Sequence, residues 1–204
     1  MKKEVKEFKI RRKHLLFVIS APSGTGKTTL CKALLEIFPD IRHSISFTTR
    51  KPREGEEDGK DYFFVSKDKF LKMVENGEFV EWAIVYENYY GTSWKHLVKL
   101  LKEGDVLLDI DIQGAKKIKA FFSNSVSIFI LPPSFEVLWE RLIKRKGINN
   151  IKLRMEKAKE EIKYFKDYDY VVRNDNLKTT LDILSAIIIA ERNRVSAISV
   201  EGID

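Results

Sequence analysis

A glycine-rich stretch, Ala21-Pro22-Ser23-Gly24-Thr25-Gly26-Lys27-Thr28, follows an apolar run over residues 15–20 and opens a helical pattern. A strand that leads into a glycine-rich turn and then a helix is the setting of a phosphate-binding loop. Gly24 and Gly26 let successive backbone N–H groups approach a phosphate. The helix N-terminus adds unpaired N–H donors and the positive end of its dipole. The stretch therefore predicts a site for nucleotide phosphates.

The first two residues of this helix have separate chemical roles. Lys27 would reach the β- and γ-phosphates, and the Thr28 hydroxyl would bind Mg²⁺. Ala21 departs from the motif G-x-x-x-x-G-K-[ST], which begins with glycine. The alternative interpretation is a glycine-rich turn that carries a surface lysine.

Composition limits the classes of protein. The 204 residues suit one domain, and 33% charged with 44% hydrophobic residues is ordinary for a globular protein. The formal net charge is +7, but seven basic and two acidic residues within 1–14 account for +5 of it. The rest of the chain is not strongly basic, so we expect no specific nucleic-acid partner. We expect the basic tail, 1–14, to be disordered or loosely attached, with a non-specific anionic contact as the alternative.

Cysteine content and hydropathy set further limits. Cys31 is the only cysteine, which excludes a disulfide or a multi-cysteine metal site. The basic start and the apolar run resemble a short signal peptide, but cleavage after that run would cut into the phosphate loop. No apolar run approaches the ~18 residues of a membrane span. We therefore expect a cytoplasmic protein with no membrane partner.

Apolar runs alternate with helical patterns along much of the chain. The predicted strands are 15–20, 41–47, 62–65, 106–111, 126–131 and 170–172, and a long charged helix is predicted at 149–168. Strands that alternate with helices behind a phosphate loop predict an α/β fold, a P-loop NTPase-type parallel sheet flanked by helices. Residues 41–95 interrupt the alternation and predict an inserted substrate-binding subdomain.

Two aspartates end a predicted central strand. Asp109 and Asp111 lie at its carboxyl end, where α/β sheets bind their ligands. At positions i and i+2 their side chains share one face, and their charges repel unless a cation or a donor joins them. The pair predicts metal orientation or a substrate contact, and the alternative is that they cap the next helix.

Basic residues cluster at two further places. Arg50 and Arg53 precede a flexible acidic turn, and their guanidinium groups could grip a phosphate together with the hydroxyls of Tyr62 and Tyr90. The alternative is a solvated surface loop. A second basic cluster could stabilise the negative charge on a transferred phosphoryl group. The alternative is that its positive charges simply complement the negative end of a helix dipole. Its members are Arg141, Arg145 and Arg154.

Taken together, these motifs resemble those of a guanylate kinase, and the resemblance extends from about Leu15 to Arg194. Several independent motifs occur in one order, which is far more specific than the phosphate loop alone. They are the loop itself, Ser44–Arg53, Gly59–Tyr62, Glu78–Ala83, Asn88–Thr92 and Asp109–Gly114. The departures are Ala21 and a segment at 146–153 that is shorter than the usual lid of the family.

The resemblance implies the following site. The ATP-binding residues are Ala21, Pro22, Ser23, Gly24, Thr25, Gly26, Lys27, Thr28, Thr29 and Asn174. The GMP-binding residues are Ser46, Arg50, Arg53, Tyr62, Glu81, Tyr90, Thr92 and Asp111. The catalytic residues are Lys27, Arg50, Arg141, Arg145 and Arg154, and Mg²⁺ would be held by Thr28 and Asp109, directly or through water. The implied division is a core of 15–40, 96–140 and 168–195, a GMP-binding insert at about 41–95, and a small helical lid at about 141–167.

The chemistry of guanine supports this assignment at Glu81. Guanine presents its N1–H and 2-amino group side by side, and one carboxylate can accept from both. Adenine offers no such pair, so a buried carboxylate would stay unpaired against it. We therefore expect an ATP:GMP phosphotransferase of purine nucleotide metabolism. The alternatives are a kinase for another phosphate acceptor, a non-catalytic interaction domain related to guanylate kinases, and a P-loop ATPase that acts on nucleic acid.

Overall fold

The computed structural model describes residues 9–144 and 150–201. Its strands are β1 (Lys9–Arg12), β2 (Leu16–Ser20), β3 (Arg42–His43), β4 (Phe47–Thr48), β5 (Phe63–Phe64), β6 (Phe79–Val85), β7 (Asn88–Ser93), β8 (Val106–Asp109), β9 (Val126–Leu131), β10 (Tyr170–Arg173) and β11 (Ile198–Glu201). Its helices are α1 (Lys27–Ile37), α2 (Lys67–Glu75), α3 (Trp94–Glu103), α4 (Ile112–Phe121), α5 (Phe135–Lys144), α6 (Ile151–Ile162) and α7 (Leu177–Arg192). None of the helices within these ranges is long and apolar enough to cross a membrane.

Five parallel strands form the central sheet, in the order β10-β9-β2-β8-β3. Strand β2 lies in the middle, where Ile19 pairs with Asp109 of β8 on one side and with Ile128 of β9 on the other. Every residue of β2 is buried, as expected for a parallel strand with helices over both faces. The predicted α/β fold with a parallel sheet is confirmed.

Alternate residues of β2 belong to two hydrophobic cores, one on each face of the sheet. Phe17 shares the first core with Leu34 of α1 and Leu184 of α7. Val18 shares the second core with Leu97 of α3, and α4 contributes to it as well. With both faces closed by helices, the open edge at the carboxyl ends of the strands is where a ligand can bind.

A second, four-stranded sheet lies within the range predicted as the insert. Its order is β5-β4-β7-β6, with β6, β7 and β4 antiparallel and β4 parallel to β5. Helix α2 packs on it through Phe70, whose ring stacks on Phe79 with the centroids 4.5 Å apart. Ser66 caps α2 by accepting a hydrogen bond from the backbone N–H of Lys69.

Three predicted elements have different limits in the structure. The strand predicted at 41–47 is divided into β3, in the central sheet, and β4, in the second sheet. The strand predicted at 106–111 stops at Asp109, because the Asp111 side chain caps α4. Within the described part of the helix predicted at 149–168, Ile151–Ile162 is α helical and a 3₁₀ turn follows it.

The expectation that the tail, 1–14, is disordered or loosely attached is wrong for its described part. Strand β1 pairs antiparallel with β11, which lies near the other end of the chain. Arg12 donates to both carboxylate oxygens of Asp105, at 2.7 and 2.9 Å, and the Asp105 side chain has no exposed surface. The tail is therefore attached to the domain by a strand and a partly buried ion pair, while residues 1–8 lie outside the described part.

Candidate active site

The phosphate loop lies between β2 and α1 and has the backbone shape that its glycines predict. Gly24 and Gly26 have φ values of +92° and +102°, in the left-handed region that favours glycine. A β-carbon on Gly26 would stand 2.8 Å from Nδ2 of Asn174. The carbonyl oxygen of Thr25 accepts from Asn174 Nδ2 at 2.8 Å and from Arg141 Nη1 at 3.0 Å. Two residues distant in sequence thus hold the loop in place.

A cavity of about 1000 Å³ opens beside this loop and extends to the second sheet. Most of the predicted site residues line it: Ala21, Pro22, Ser23, Gly24, Gly26, Lys27, Thr28, Thr29, Ser46, Arg50, Arg53, Tyr62, Glu81, Tyr90, Asp109, Asp111, Arg141, Arg154 and Asn174. Thr25 and Thr92 are buried behind the lining. Arg145 lies outside the described residues.

The charges of Lys27 and Asp109 interact at the end of β8. The Lys27 Nζ donates to the carbonyl oxygen of Ile110 at 3.0 Å. Burial acts to raise the pKa of Asp109, but the charge of Lys27 and a hydrogen bond with His43 outweigh it and hold that pKa below its usual value. The Nε2 atom of His43 lies 3.2 Å from Asp109 Oδ1. Asp109 is therefore an ionised carboxylate at neutral pH, and His43 is a partner that sequence patterns did not indicate.

The donor set beside the loop suits a hard cation that keeps several ligands from phosphate and water. Thr28 offers an exposed hydroxyl and Asp109 an ionised carboxylate. Among the described residues, no group of three or more His, Cys, Asp or Glu side chains could hold a metal by itself. Magnesium fits such a site, because it is bound through one or two protein oxygens together with substrate phosphates.

A buried carboxylate occupies the other end of the cavity. Glu81, on β6, is only 4% exposed, and its Oε1 accepts from the Thr92 hydroxyl at 2.6 Å. The two residues are paired across β6 and β7. Burial raises the pKa of Glu81 to about 7, even though the Thr92 hydrogen bond acts in the opposite direction. Such a carboxylate is held rigidly and has one oxygen left for a ligand with donors.

Asp111 caps the helix that follows it, which was the alternative interpretation of the aspartate pair. It is the N-cap residue of α4, where Oδ1 accepts from the backbone N–H of Gly114 at 2.9 Å and Oδ2 accepts from Gln113 Nε2 at 3.3 Å. It also lines the cavity. The cap fixes the carboxylate beside Glu81 without removing it from the site.

Arg50 and Arg53 converge on a carboxylate that the sequence did not mark as functional. Arg50 Nη2 donates to both oxygens of Glu56, at 2.9 and 2.8 Å, and the backbone N–H of Arg53 donates to Glu56 at 2.8 Å. The Arg50 guanidinium also lies 5.3 Å from the ring centroid of Tyr62, and the Tyr62 and Tyr90 ring centroids are 6.0 Å apart. Glu56 was predicted only as part of a flexible acidic turn, and its contact with Arg50 depends on how that turn folds back.

The basic residues of α5 and α6 reach the phosphate loop. Arg141 contacts Thr25, as described above, and Arg154 Nη1 donates to the Ser23 hydroxyl at 3.2 Å. Glu161 of α6 lines the cavity too, and burial raises its pKa to about 7. Sequence patterns did not single out Glu161, because a carboxylate in a highly charged helix is ordinarily solvated.

Comparisons with known proteins show the family of this chain. The family model for guanylate kinase matches residues 13–191. A guanylate kinase of Geobacter metallireducens is 48% identical over 188 residues, which is 91% of this chain and 93% of that protein. A guanylate kinase of Caldanaerobacter subterraneus is 51% identical over 189 residues, covering 91% of this chain and 92% of that protein.

A solved structure has the same fold over nearly the whole chain. The crystal structure of a guanylate kinase from Anaplasma phagocytophilum matches with a TM-score of 0.79 and 36% identity, covering 93% of this chain and 92% of that one. The chain belongs to the guanylate kinase family, the nucleoside monophosphate kinases that transfer a phosphoryl group from ATP to GMP.

Proposed function

We propose that the residues lining this cavity carry out that transfer in line, converting ATP and GMP to ADP and GDP. The observation that supports this most directly is that Glu81 and the phosphate loop open onto the same cavity. A carboxylate suited to guanine and a loop suited to a polyphosphate thus lie at two ends of one space. An acceptor and a donor bound there would meet between them.

On the donor side, the phosphate loop binds ATP through its backbone N–H groups. Lys27 neutralises charge on the β- and γ-phosphates, and Arg141 and Arg154 lie close enough to the loop to stabilise the equatorial oxygens. Mg²⁺, when bound by the Thr28 hydroxyl and the Asp109 carboxylate, neutralises the remaining phosphate charge.

On the acceptor side, Glu81 accepts hydrogen bonds from the guanine N1–H and 2-amino group. Thr92 fixes one oxygen of that carboxylate, so the plane of the acceptor is set before the base arrives. Arg50, Arg53 and the hydroxyls of Tyr62 and Tyr90 bind the GMP phosphate. Glu56 holds the Arg50 guanidinium from one side and thereby limits its orientation.

Catalysis needs no general base, because the attacking phosphate oxygen of GMP is already anionic at neutral pH. The rate enhancement comes from placing the two phosphates in line and from neutralising charge in the transition state. Retention of Lys27 and of both loop glycines is what distinguishes this chain from a non-catalytic domain with the same fold.

An assay of ADP release with different acceptors tests the proposal. We expect turnover with GMP and little turnover with AMP, CMP or UMP, each offered with Mg²⁺ and ATP. Equal use of AMP and GMP would show that Glu81 does not select the base. No turnover with any of the four would favour the interaction-domain alternative. The cytoplasmic location and the limits of insert and lid stay predictions.

A further inference from the structure

The β6–β7 hairpin of the second sheet contacts helix α6 through Tyr86. The guanidinium carbon of Arg154 lies 3.8 Å from the centroid of the Tyr86 ring, and Lys157 Nζ lies 4.7 Å from it. An aromatic ring attracts a cation over its face through its quadrupole, and the attraction is larger where water is partly excluded. Tyr86 is half-buried and lines the cavity together with Arg154. The ring therefore limits where the Arg154 guanidinium can lie.

Arg154 connects this ring to the phosphate loop. Its Nη1 donates to the Ser23 hydroxyl at 3.2 Å while its guanidinium lies over Tyr86. One side chain of α6 thus contacts both the donor loop and the acceptor hairpin. A guanidinium is planar. When an aromatic ring packs against its face, the N–H groups at its edge can still donate to other acceptors.

The hairpin tip has a backbone shape that its residues do not favour. Tyr86 and Glu87 have φ values of +48° and +68°, the left-handed values required at both central positions of a two-residue type I′ turn. Asn and Gly adopt this conformation easily, whereas for other residues it costs about 1 kcal/mol or more in conformational free energy. Asn88 Nδ2 donates to the Tyr86 carbonyl at 3.0 Å, which helps to fix the turn. The ring is thus presented from a defined and rigid tip.

We propose that Tyr86 is a positioning residue, whose ring fixes the Arg154 guanidinium beside the phosphate loop, so that the acceptor-binding hairpin helps to hold α6 over the donor. The inference rests on the proposed function, because Arg154 is one of the cations assigned there to the transferred phosphoryl group. It adds a contact that couples the two substrate sites through one side chain.

Two substitutions at Tyr86 distinguish the effect of the ring from the effect of the backbone conformation. Tyr86→Asn removes the ring but suits the left-handed turn, and Tyr86→Phe keeps the ring. We expect kcat to fall about five- to tenfold in Tyr86→Asn, with the KM for GMP changing less than twofold, and to stay within about threefold in Tyr86→Phe. Glu87→Asn, at the exposed neighbouring position, is the matched control and should leave kcat unchanged. Thermal unfolding of each variant shows that the fold is kept.

A double-mutant cycle with Arg154→Met completes the test. If Tyr86 acts through Arg154, Tyr86→Asn should change kcat less than twofold once Arg154 is already replaced. A full additional loss in that background, or a Phe variant as slow as the Asn variant, would overturn the proposal. The activity of the wild type separates the two proposals. An inactive wild type would overturn the proposed function. If the wild type is active but the effects of the two substitutions are additive, only the role of Tyr86 is overturned.

Discussion

The Oε2 atom of Glu81 lies 2.7 Å from the point at which a β-carbon would stand on Gly114. Helix α4 thus approaches the buried carboxylate so closely that only glycine fits without moving it. An alanine in a helix ordinarily stabilises it relative to glycine, but here the methyl group must displace Glu81 or shift α4. Gly114 is therefore part of the proposed guanine site although it carries no side chain.

We expect Gly114→Ala to raise the KM for GMP about tenfold, or about 1.4 kcal/mol, while the KM for ATP changes less than twofold. The reason is that the methyl group moves the Glu81 carboxylate away from the base but does not reach the phosphate loop. Steady-state kinetics with each substrate varied in turn measures both constants. An unchanged KM for GMP would show that α4 yields without disturbing Glu81.

Glu81→Gln should raise the KM for GMP about 10- to 150-fold and leave the KM for ATP nearly unchanged. The substitution removes the charge and one acceptor, which weakens charge-assisted hydrogen bonds worth about 1.5–3 kcal/mol. IMP lacks the 2-amino group, so it should be a poor acceptor for the wild type and less disadvantaged in the variant. Equal use of IMP and GMP by the wild type would contradict the assignment of Glu81 to the base.

The same substitution should stabilise the enzyme without substrates at pH 8 more than at pH 5. Burial raises the pKa of Glu81 from 4.5 to about 7, so the folded state binds a proton there that the unfolded state has released. The stability due to this group is present below pH 4.5 and is lost as the pH rises through about 7. The change in unfolding free energy caused by the substitution should be about 1–3 kcal/mol larger at pH 8 than at pH 5. Thermal melts of both proteins at the two pH values measure it. An effect independent of pH would mean that Glu81 is charged throughout.

Lys27→Ala should lower kcat by more than about a hundredfold while GMP binding, measured by calorimetry, stays within about threefold. The two effects should differ because Lys27 lies at the phosphate loop, whereas the proposed guanine contacts lie at the other end of the cavity. Lys69→Ala, at an exposed position on α2, is the matched control. Near-normal kcat in Lys27→Ala would show that this loop does not bind the transferred phosphate.

Arg12→Ala should lower the unfolding free energy by about 1–3 kcal/mol without changing kcat/KM. It leaves the buried Asp105 carboxylate with Arg192 and the backbone N–H of Leu15 as its remaining donors. Deletion of residues 2–13 should likewise leave kcat/KM for GMP within a few-fold but lower Tm. Lys13→Ala, at an exposed neighbouring position, is the control and should leave Tm unchanged. A tenfold loss of kcat/KM on deletion would place the tail in the active site.

The amino-acid sequence by itself determined the elements whose signals are local. The phosphate loop needs glycines at fixed spacing, and the central strands are continuous apolar runs because both of their faces are covered. Glu81, Arg50 and Asp111 were predicted because each belongs to a short motif of the family. These signals required no knowledge of how distant segments meet.

Only the tertiary structure decided which distant residues meet around those elements. Glu56 binds Arg50, Tyr86 faces Arg154, and Gly114 makes room for Glu81. Strand β1 pairs with β11 almost the whole chain away, which the basic composition of the tail did not indicate. Spacing along the chain encodes which face of a helix or strand a residue occupies. It does not encode which faces meet, because that depends on the packing of the whole sheet and its helices.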